Sequence, residues 1–338
     1  MKAIVTGAAG FIGSHVAELL VARGHTVLGL DDLTGAWIET VPVGVRFEKR
    51  DCTKPVDDLF QSFRPDAVYH LAAYAAEGLS HHIPVFNFTN NIVATANILG
   101  AAYRVEAKHF IFTSSIAAYG HPHGDGAFDE ETPCHPCDPY GIAKLACEYH
   151  IAAFRDYFGG PDFTIFRPHN VFGPRQNIND PYRNVVGIFM RCALQNVPMP
   201  IFGDGTQTRS FSYIDTVSRC VADAPVTVAA KNQTYNVGGD EPMAVRDLAR
   251  HISEVMGVRP NVQHLPPRKE VMHAHCKHDK VRVAFPKSYA NPVEIVSGLK
   301  LMVEYVRSHS IPPATECPAP IEIADRLPPS WAERLIGK

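Results

Sequence analysis

The residues best suited to chemistry are a tyrosine and a lysine one helical turn apart. Tyr140 and Lys144 stand in the run Tyr-Gly-Ile-Ala-Lys, and residues at i and i+4 share one face of a helix. A free phenol has a pKa of about 10 and is a poor base at neutral pH. A neighbouring ammonium favours the phenolate. The spacing therefore predicts a phenol that takes a proton from an alcohol while a hydride leaves.

A Tyr-x-x-x-Lys spacing is also common on solvated helix surfaces. Neighbouring motifs in the chain are therefore needed to distinguish a reactive pair from surface residues. The run Thr113-Ser114-Ser115 closes an apolar stretch that precedes the helix. A hydroxyl at such a strand end can donate to, or accept from, the same substrate oxygen as the phenol. We therefore group this run of hydroxyls with Tyr140 and Lys144.

A glycine-rich turn at the start of the chain predicts a dinucleotide site. Gly7, Gly10 and Gly13 stand between a predicted strand and a predicted helix. Glycines allow the tight turn and let backbone amides approach a pyrophosphate at the positive helix N-terminus. Asp31 closes the second predicted strand, where a carboxylate binds the ribose hydroxyls and repels a 2′-phosphate. The pattern therefore favours NAD over NADP.

The elements that must position these residues alternate between short apolar runs and amphipathic helical stretches. This alternation predicts an α/β fold with a doubly wound parallel sheet and a smaller C-terminal α/β substrate lobe. The expected strands span 2–6, 26–30, 45–51, 67–72, 109–115, 163–167, 210–214 and 234–237, and the expected helices span 11–23, 90–103, 140–158 and 245–256. We divide the chain into a nucleotide-binding domain (1–170, with returning segments near 210–240), a substrate lobe (171–307) and a surface-draped or mobile tail (308–338).

Composition narrows the class of protein. The 338 residues are 46% hydrophobic and 20% charged with a net charge of −3, and they show no basic cluster that would bind nucleic acid. No apolar run reaches the roughly 18 residues of a membrane span. The N-terminus leads directly into the first strand, without the apolar core of a signal peptide. We therefore expect a cytoplasmic protein with no nucleic-acid or membrane partner, whose eight cysteines are reduced thiols.

An ordered series of motifs extends to about residue 307. In chain order they are Gly7–Gly13 with Asp31, Asp51-Cys52, His70-Leu71-Ala72-Ala73, Asn90-Asn91, Ser114-Ser115, Tyr140 to Lys144, Arg167-Pro168-His169-Asn170, Phe202-Gly203-Asp204-Gly205 with Arg209, and Pro267-Arg268. Together they resemble the extended short-chain dehydrogenase/reductases, which have a Rossmann sheet, and most closely the UDP-glucose 4-epimerase group.

The resemblance implies NAD as cofactor and a nucleotide-sugar, in this group a UDP-sugar, as substrate. The implied catalytic residues are Ser115, Tyr140 and Lys144. The implied cofactor contacts are Gly7, Gly10, Phe11, Ile12, Gly13, Asp31, Asp32, Asp51, Cys52, Leu71, Ala72, Ala73, Asn90, Thr113, Tyr140 and Lys144. The implied substrate contacts are Ser115, Asn170, Arg209 and Arg268, with the arginines on the diphosphate. In the implied reaction Tyr140 removes the sugar 4-hydroxyl proton, a 4-keto sugar turns in the pocket, and hydride returns to its other face.

Departures from the family pattern narrow the reaction. Related 4,6-dehydratases have Thr-Asp-Glu where this chain has Ser115-Ile116-Ala117, and decarboxylating relatives keep a glutamate at the position of Ala117. C4 epimerisation of a UDP-hexose is therefore favoured. Ala75 replaces a lysine expected near the pyrophosphate, and Ala274 aligns with a size gate. UDP-N-acetylhexosamine, UDP-glucose/galactose and UDP-glucuronate/galacturonate all stay open as substrates.

Three other functions fit the residues less well. A nucleotide-sugar 4-ketoreductase often uses NADPH, which Asp31 would repel. An epimerase that acts at another position needs an extra acid/base pair, which this chain lacks. A non-catalytic NAD-binding protein would not need both Tyr140 and Lys144. Cys134 and Cys137 form a single Cys-x-x-Cys pair, and the cluster 273–278 borders the sugar pocket in this family, so we predict no metal. The helices 91–103 and 140–158 resemble the family's dimer interface, which predicts a homodimer.

Overall fold

A computed structural model describes residues 1–121, 127–267, 271–309, 317, 319–328 and 331. The strands are β1 (Lys2–Thr6), β2 (Thr26–Asp31), β3 (Arg46–Lys49), β4 (Ala67–His70), β5 (His109–Thr113), β6 (Ala127–Phe128), β7 (Asp162–Pro168), β8 (Val171–Phe172), β9 (Met199–Phe202), β10 (Thr208–Ser210), β11 (Ser212–Tyr213), β12 (Gln233–Val237), β13 (Pro242–Ala244), β14 (Val262–Leu265) and β15 (His273–Cys276). The helices are α1 (Phe11–Ala22), α2 (Asp57–Phe63), α3 (Glu77–Ser80), α4 (Pro84–Phe88), α5 (Ala94–Arg104), α6 (Pro139–Phe158), α7 (Val185–Gln195), α8 (Ile214–Asp223), α9 (Val245–Met256), α10 (Asp279–Ala284) and α11 (Ile295–Ser308).

The large sheet has seven parallel strands in the order β12-β7-β5-β4-β1-β2-β3. The chain builds outward from β1 to β3, then returns to place β4 on the other side of β1. This reversal opens a crevice at the carboxyl ends of β1 and β4, which is where doubly wound sheets bind ligands. The predicted doubly wound α/β fold is confirmed.

Both faces of this sheet are covered, which explains why its strands are near-continuous apolar runs. On one face α1 and α8 pack against each other, with Val16, Leu20 and Val217 fully buried. On the other face the core of α5 and α6 includes Ile98 and Ile151. Strand β12 lies at the edge of the sheet beside β7, so residues 233–237 return to the large sheet.

The smaller lobe lies above the carboxyl edge of the sheet. Its four-stranded sheet has the order β13-β10-β15-β6. Helices α7, α9 and α11 enclose a separate core that includes Phe189, Leu248 and Met302. Strand β6 precedes α6 in the chain but pairs with β15 of the smaller lobe. The first half of the chain therefore contributes one strand to the lobe.

Two predicted elements differ from the structure. The strand expected over 210–214 is divided: β10 pairs with β13 and β15, whereas β11 pairs with β8, and Ile214 already begins α8. Phe211, which is buried between them, is where the chain passes from one sheet to the other. The helix expected to begin at residue 90 instead follows α4 directly through a π-helical turn, Thr89–Val93, which leads into α5.

No helix among the described residues combines the length and the apolar composition needed to cross a bilayer.

Candidate active site

A cleft of about 1810 Å³ runs from the glycine-rich turn to the smaller lobe. Most of the predicted site residues line it: Gly7, Gly10, Phe11, Ile12, Gly13, Asp31, Asp32, Cys52, Leu71, Ala72, Ala73, Asn90, Thr113, Ser115, Tyr140, Lys144, Asn170 and Arg209. Asp51 lies beside Cys52, and its carboxylate accepts a hydrogen bond from the Thr53 amide at 2.7 Å. Arg268 lies outside the described residues. The fold therefore brings distant parts of the chain to one cavity.

The glycine-rich turn has no room for side chains. A Cβ on Gly13 would lie 1.9 Å from the Gly7 carbonyl oxygen. Gly7 has φ +72°, and a Cβ there would lie 2.8 Å from the Ala72 amide nitrogen. The turn leads directly into α1, whose first amides have no partner within the helix and can bind a phosphate. These features fit a pyrophosphate bound against the backbone.

Asp31 completes this end of the cleft. One carboxylate oxygen accepts from the Ala9 amide at 3.1 Å and the other from the Leu33 amide at 2.8 Å. Burial raises the pKa of Asp31, while these amides oppose the shift. Two amide bonds hold the carboxylate at the end of β2, where it can accept bonds from a ribose. The residues of this end therefore fit NAD.

Tyr140 is fixed at the start of α6. The Asp138 side chain accepts from the Gly141 amide at 2.9 Å, which caps the helix, and Pro139 occupies the first helical turn. The Tyr140 amide donates to the Ser80 hydroxyl at 3.2 Å. These contacts place the phenol, only 6% exposed, in the wall of the cleft.

Ser115 lies where β5 meets the cleft. Its hydroxyl oxygen accepts from the Ala117 amide at 3.1 Å, so its proton can point to another acceptor. A hydrogen bond between Ser115 and Tyr140 lowers the pKa of the phenol. The hydroxyl of neighbouring Ser114 also lines the cleft, is buried and has no protein partner among the described residues. Sequence analysis did not select Ser114, although it lies in the same run.

Lys144 is buried beneath Tyr140. Its ammonium donates to the Thr113 carbonyl at 2.8 Å and lies 5.8 Å from the centre of the Tyr140 ring. Burial lowers the pKa of Lys144 to about 8. Burial raises the pKa of Tyr140, and the charge of Glu77 raises it further. This direction is opposite to the one expected from Lys144 alone, so a second positive charge is needed to stabilise the phenolate.

A buried ion pair holds α6 against the sheet. Arg167 Nε donates to Glu148 Oε1 at 3.0 Å, and the second guanidinium nitrogen lies 2.5 Å from Oε2. The two side chains are 8% and 6% exposed. Glu148 follows Tyr140 and Lys144 on the same face of α6. The pair therefore links the face of α6 that carries Tyr140 and Lys144 to β7.

The far end of the cleft is rich in arginine. Asn170 has φ +40°, in the left-handed region that asparagine tolerates, and its amide donates to the Ser210 carbonyl at 3.1 Å. The Arg209 guanidinium lies against the backbone carbonyls of residues 271 and 272. Three further arginines, Arg175, Arg183 and Arg191, line the cleft and were not among the predicted residues. Arg175 pairs with Glu18 on α1 at 2.7 Å, and Arg183 pairs with Asp180 at 2.8 Å. Arg175 lies five positions after the motif that ends at Asn170, whereas no motif lies beside the other two.

Of the cluster 273–278, His278 joins His169 in a buried hydrogen-bond network. His169 Nε2 lies 2.9 Å from His278 Nε2, and His278 Nδ1 lies 2.7 Å from Asp240. Burial lowers the pKa of His169 to about 3, so this imidazole is neutral. Ala274, on β15, lines the cleft. Among the described residues there is no group of three or more side chains arranged to hold a metal ion.

Comparisons with known proteins agree with this geometry. A profile of the NAD dependent epimerase/dehydratase family matches residues 3–238. A UDP-glucose 4-epimerase of Mycolicibacterium smegmatis is 32% identical over 322 residues, which covers 92% of this chain and 100% of the relative. The crystal structure of a UDP-glucose 4-epimerase with UDP-glucose from Thermotoga maritima has a TM-score of 0.86 at 32% identity, covering 91% of this chain and 99% of that one.

A third comparison includes the cofactor. The structure of a UDP-glucuronic acid 4-epimerase from Bacillus cereus, in complex with UDP-glucuronic acid and NAD, has a TM-score of 0.81 at 29% identity. It covers 91% of this chain and 99% of its own. The cofactor is NAD, in keeping with the glycine-rich turn and Asp31. The chain belongs to the NAD-dependent epimerase/dehydratase family.

Proposed function

We propose that the protein is an NAD-dependent epimerase that inverts C4 of a nucleotide-sugar, a UDP-hexose, through a transient 4-keto intermediate. One observation carries this proposal. Ser115, Tyr140 and Lys144 lie in the wall of a single cleft that joins the dinucleotide turn to an arginine-rich end. The UDP-sugars bound by the relatives support the substrate class.

The residues of the chain divide the work. The Tyr140 phenolate takes the proton of the 4-hydroxyl and later returns it. Ser115 donates a hydrogen bond at the same oxygen, while Lys144 supplies positive charge beneath the phenol. NAD, which the glycine-rich turn and Asp31 would hold, would supply reversible hydride acceptance at C4 when bound. Because proton and hydride are both returned, the net change is inversion alone.

The far end of the cleft holds the substrate while its sugar turns. Arg209 and Asn170 contact the diphosphate in this proposal, and Arg191 lines the same cleft. The charges of Arg175 and Arg183 are already paired with Glu18 and Asp180. A guanidinium pairs two phosphate oxygens at once, which anchors the nucleotide firmly. Firm anchoring at one end leaves the sugar free to present either face.

The lining of the cleft favours epimerisation over elimination. Dehydration needs an acid and a base beside C5 and C6 of the sugar, and decarboxylating relatives keep a glutamate at position 117. Ile116 and Ala117 line the cleft and offer neither group.

A panel of UDP-sugars tests the proposal. The purified protein is incubated with UDP-glucose, UDP-galactose and their N-acetylamino and uronic acid counterparts, and the products are read by NMR. We expect C4 epimers to interconvert. Tyr140→Phe should lower turnover by about 10³-fold while NAD stays bound, and Tyr157→Phe, 83% exposed on the same helix, should match the wild type. Bound NAD without interconversion of any UDP-sugar would contradict the proposal.

We also infer a homodimer in a reducing, cytoplasmic compartment. Apolar side chains are exposed on α5, α6 and the π turn: Val93 by 44%, Tyr103 by 39%, Ile142 by 44% and Tyr149 by 65%. A second copy would cover them. All eight cysteines are free thiols. Light scattering should give twice the chain mass, and Tyr149→Glu should shift it to that of one chain. A wild type that is monomeric at every concentration would refute the dimer.

A further inference from the structure

The chain after α11 packs against a segment more than two hundred positions earlier. We call the described residues 317, 319–328 and 331 the C-terminal strap. They contact the segment 74–88, which contains α3 and α4. Sequence analysis predicted a surface-draped or mobile tail here, without a role. The contacts show a docked segment.

Polar contacts fasten the strap to the start of α4. The Glu322 carboxylate accepts from the amides of Val85 at 2.8 Å and Phe86 at 3.0 Å. These amides lie in the first turn of the helix, where no partner exists within the helix. The His82 carbonyl accepts from the amides of Glu322 and Ile323, and His82 Nδ1 donates to the Ile323 carbonyl at 2.7 Å. A negative charge at a helix N-terminus is also electrostatically favourable.

Apolar contacts fasten the other end of the strap. The Trp331 ring lies edge-on to Tyr182 with centroids 5.3 Å apart and to His82 at 6.3 Å. It also covers Gly78, where an added Cβ would lie 3.1 Å from the indole. Ala319 and Ile321 pack into the same cluster, whose buried members include Leu79. The strap thus covers apolar surface of α3.

The segment under the strap is bonded directly to the catalytic helix. Ser80 accepts from the Tyr140 amide at 3.2 Å, and the Asn87 side chain donates to the Pro139 carbonyl at 2.9 Å. Glu77 lies in the cleft lining, and its charge raises the pKa of Tyr140. Any shift of α3 or α4 would therefore displace the first residues of α6, which include Tyr140.

The strap also reaches the cleft itself. Ile323, Asp325 and Arg326 line it on the side of α3. Asp325 and Arg326 are exposed there, so their charged groups face solvent and any ligand in the cleft. The Arg326 guanidinium and the Asp325 carboxylate place charges of opposite sign on this part of the wall, so removal of the guanidinium makes the field that an anionic ligand meets more negative.

We propose that the C-terminal strap is a positioning element of the sugar end of the cleft. Glu322 and Trp331 hold α3 and α4 against the start of α6, and Arg326 completes the wall. The nature of the ligand rests on the proposed function above. The strap makes its contacts around α3 and α4 rather than at the glycine-rich turn. Loss of these contacts therefore weakens binding of the sugar-nucleotide and leaves the affinity for NAD unchanged.

The test compares Glu322→Ala, Trp331→Ala and Arg326→Ala in the full chain. The matched control is Glu304→Ala, which removes an exposed carboxylate on α11 outside the cleft. We expect KM for the UDP-sugar to rise about tenfold in the first two variants, with a smaller change in kcat and unchanged NAD affinity. Glu322→Gln keeps one oxygen acceptor and should restore part of the loss. Arg326→Ala removes no buried contact, so it remains informative if the other variants fold poorly.

Two further measurements separate this proposal from the function on which it rests. Hydrogen exchange at Val85 and Phe86 should become faster in Glu322→Ala. UDP binding, measured by calorimetry, should weaken in the strap variants even if no UDP-sugar is turned over. If the wild type turns over no UDP-sugar but its UDP binding weakens in the strap variants, the epimerase proposal is refuted and the strap proposal stands. Wild-type KM and UDP affinity in all three variants, or unchanged exchange in Glu322→Ala, would overturn the strap proposal.

Discussion

The two ends of the cleft are built in different ways. The dinucleotide end is one continuous turn and the end of the next strand, and its fit depends on backbone and on absent side chains at Gly7 and Gly13. The sugar end gathers side chains from α3, α6, the smaller lobe and the C-terminal strap. A site formed by closely packed backbone should lose ligand binding when a single side-chain atom is added. A site assembled from several segments should lose binding affinity in smaller steps as individual side chains are removed.

The largest effect should follow from Gly13→Ala. Its Cβ would lie 1.9 Å from the Gly7 carbonyl oxygen, so the turn must open and NAD binding should be lost. Calorimetric titration with NAD measures this loss. Gly100→Ala is the control, because the nearest atom there is the end of the flexible Arg104 side chain at 3.1 Å. NAD binding by Gly13→Ala at wild-type affinity would show that the turn is less constrained than its geometry indicates.

The next effect should come from the helix that lies between the two ends. Glu148→Ala leaves the buried Arg167 without its partner, and we expect a loss of about 3–5 kcal/mol in the free energy of unfolding. Glu48→Ala breaks the exposed pair with Arg46 and should cost less than about 1 kcal/mol. Urea denaturation measures both. Equal losses would mean that the buried pair does not anchor α6.

A smaller effect should appear in the choice of cofactor. Asp31→Asn removes the charge that repels a 2′-phosphate, and we expect the preference for NAD over NADP to fall about tenfold. Competitive titration with the two dinucleotides measures the ratio. Asp66→Asn changes a carboxylate at the amino ends of β1 and β4, away from the cleft, and should leave the ratio unchanged. An unaltered ratio in Asp31→Asn would remove Asp31 from the discrimination.

The smallest effect should be a shift in pH dependence at the sugar end. The Glu77 carboxylate raises the pKa of Tyr140, and kcat/KM should rise with pH as the phenolate forms. Glu77→Gln lowers this pKa, so the acidic limb should move to lower pH by less than about one unit. Profiles of kcat/KM against pH measure the limb, with Glu304→Gln as the control. A limb that moves to higher pH would contradict the assigned sign.

The sequence predictions succeeded for features formed by residues close together in the chain and missed features assembled from distant segments. The glycine-rich turn, Asp31 and the Tyr140–Lys144 face were predictable because each depends on residues close together in the chain. The divided strand around Phe211 was not, because its pairing partners are β8, β13 and β15. The higher pKa of Tyr140 was also missed, since burial and Glu77 come from other segments.

The sequence by itself determined the doubly wound sheet, the dinucleotide turn and the helix that carries Tyr140 and Lys144, since short-range patterns encode local backbone geometry and helical faces. Only the tertiary structure decided that Arg183, Arg191 and the C-terminal strap meet at the sugar end. Those contacts arise from many weak, long-range interactions that leave no periodic signal in the residues involved. The sequence therefore left open whether the tail was draped on the surface or mobile, and the contacts show that its described residues are docked.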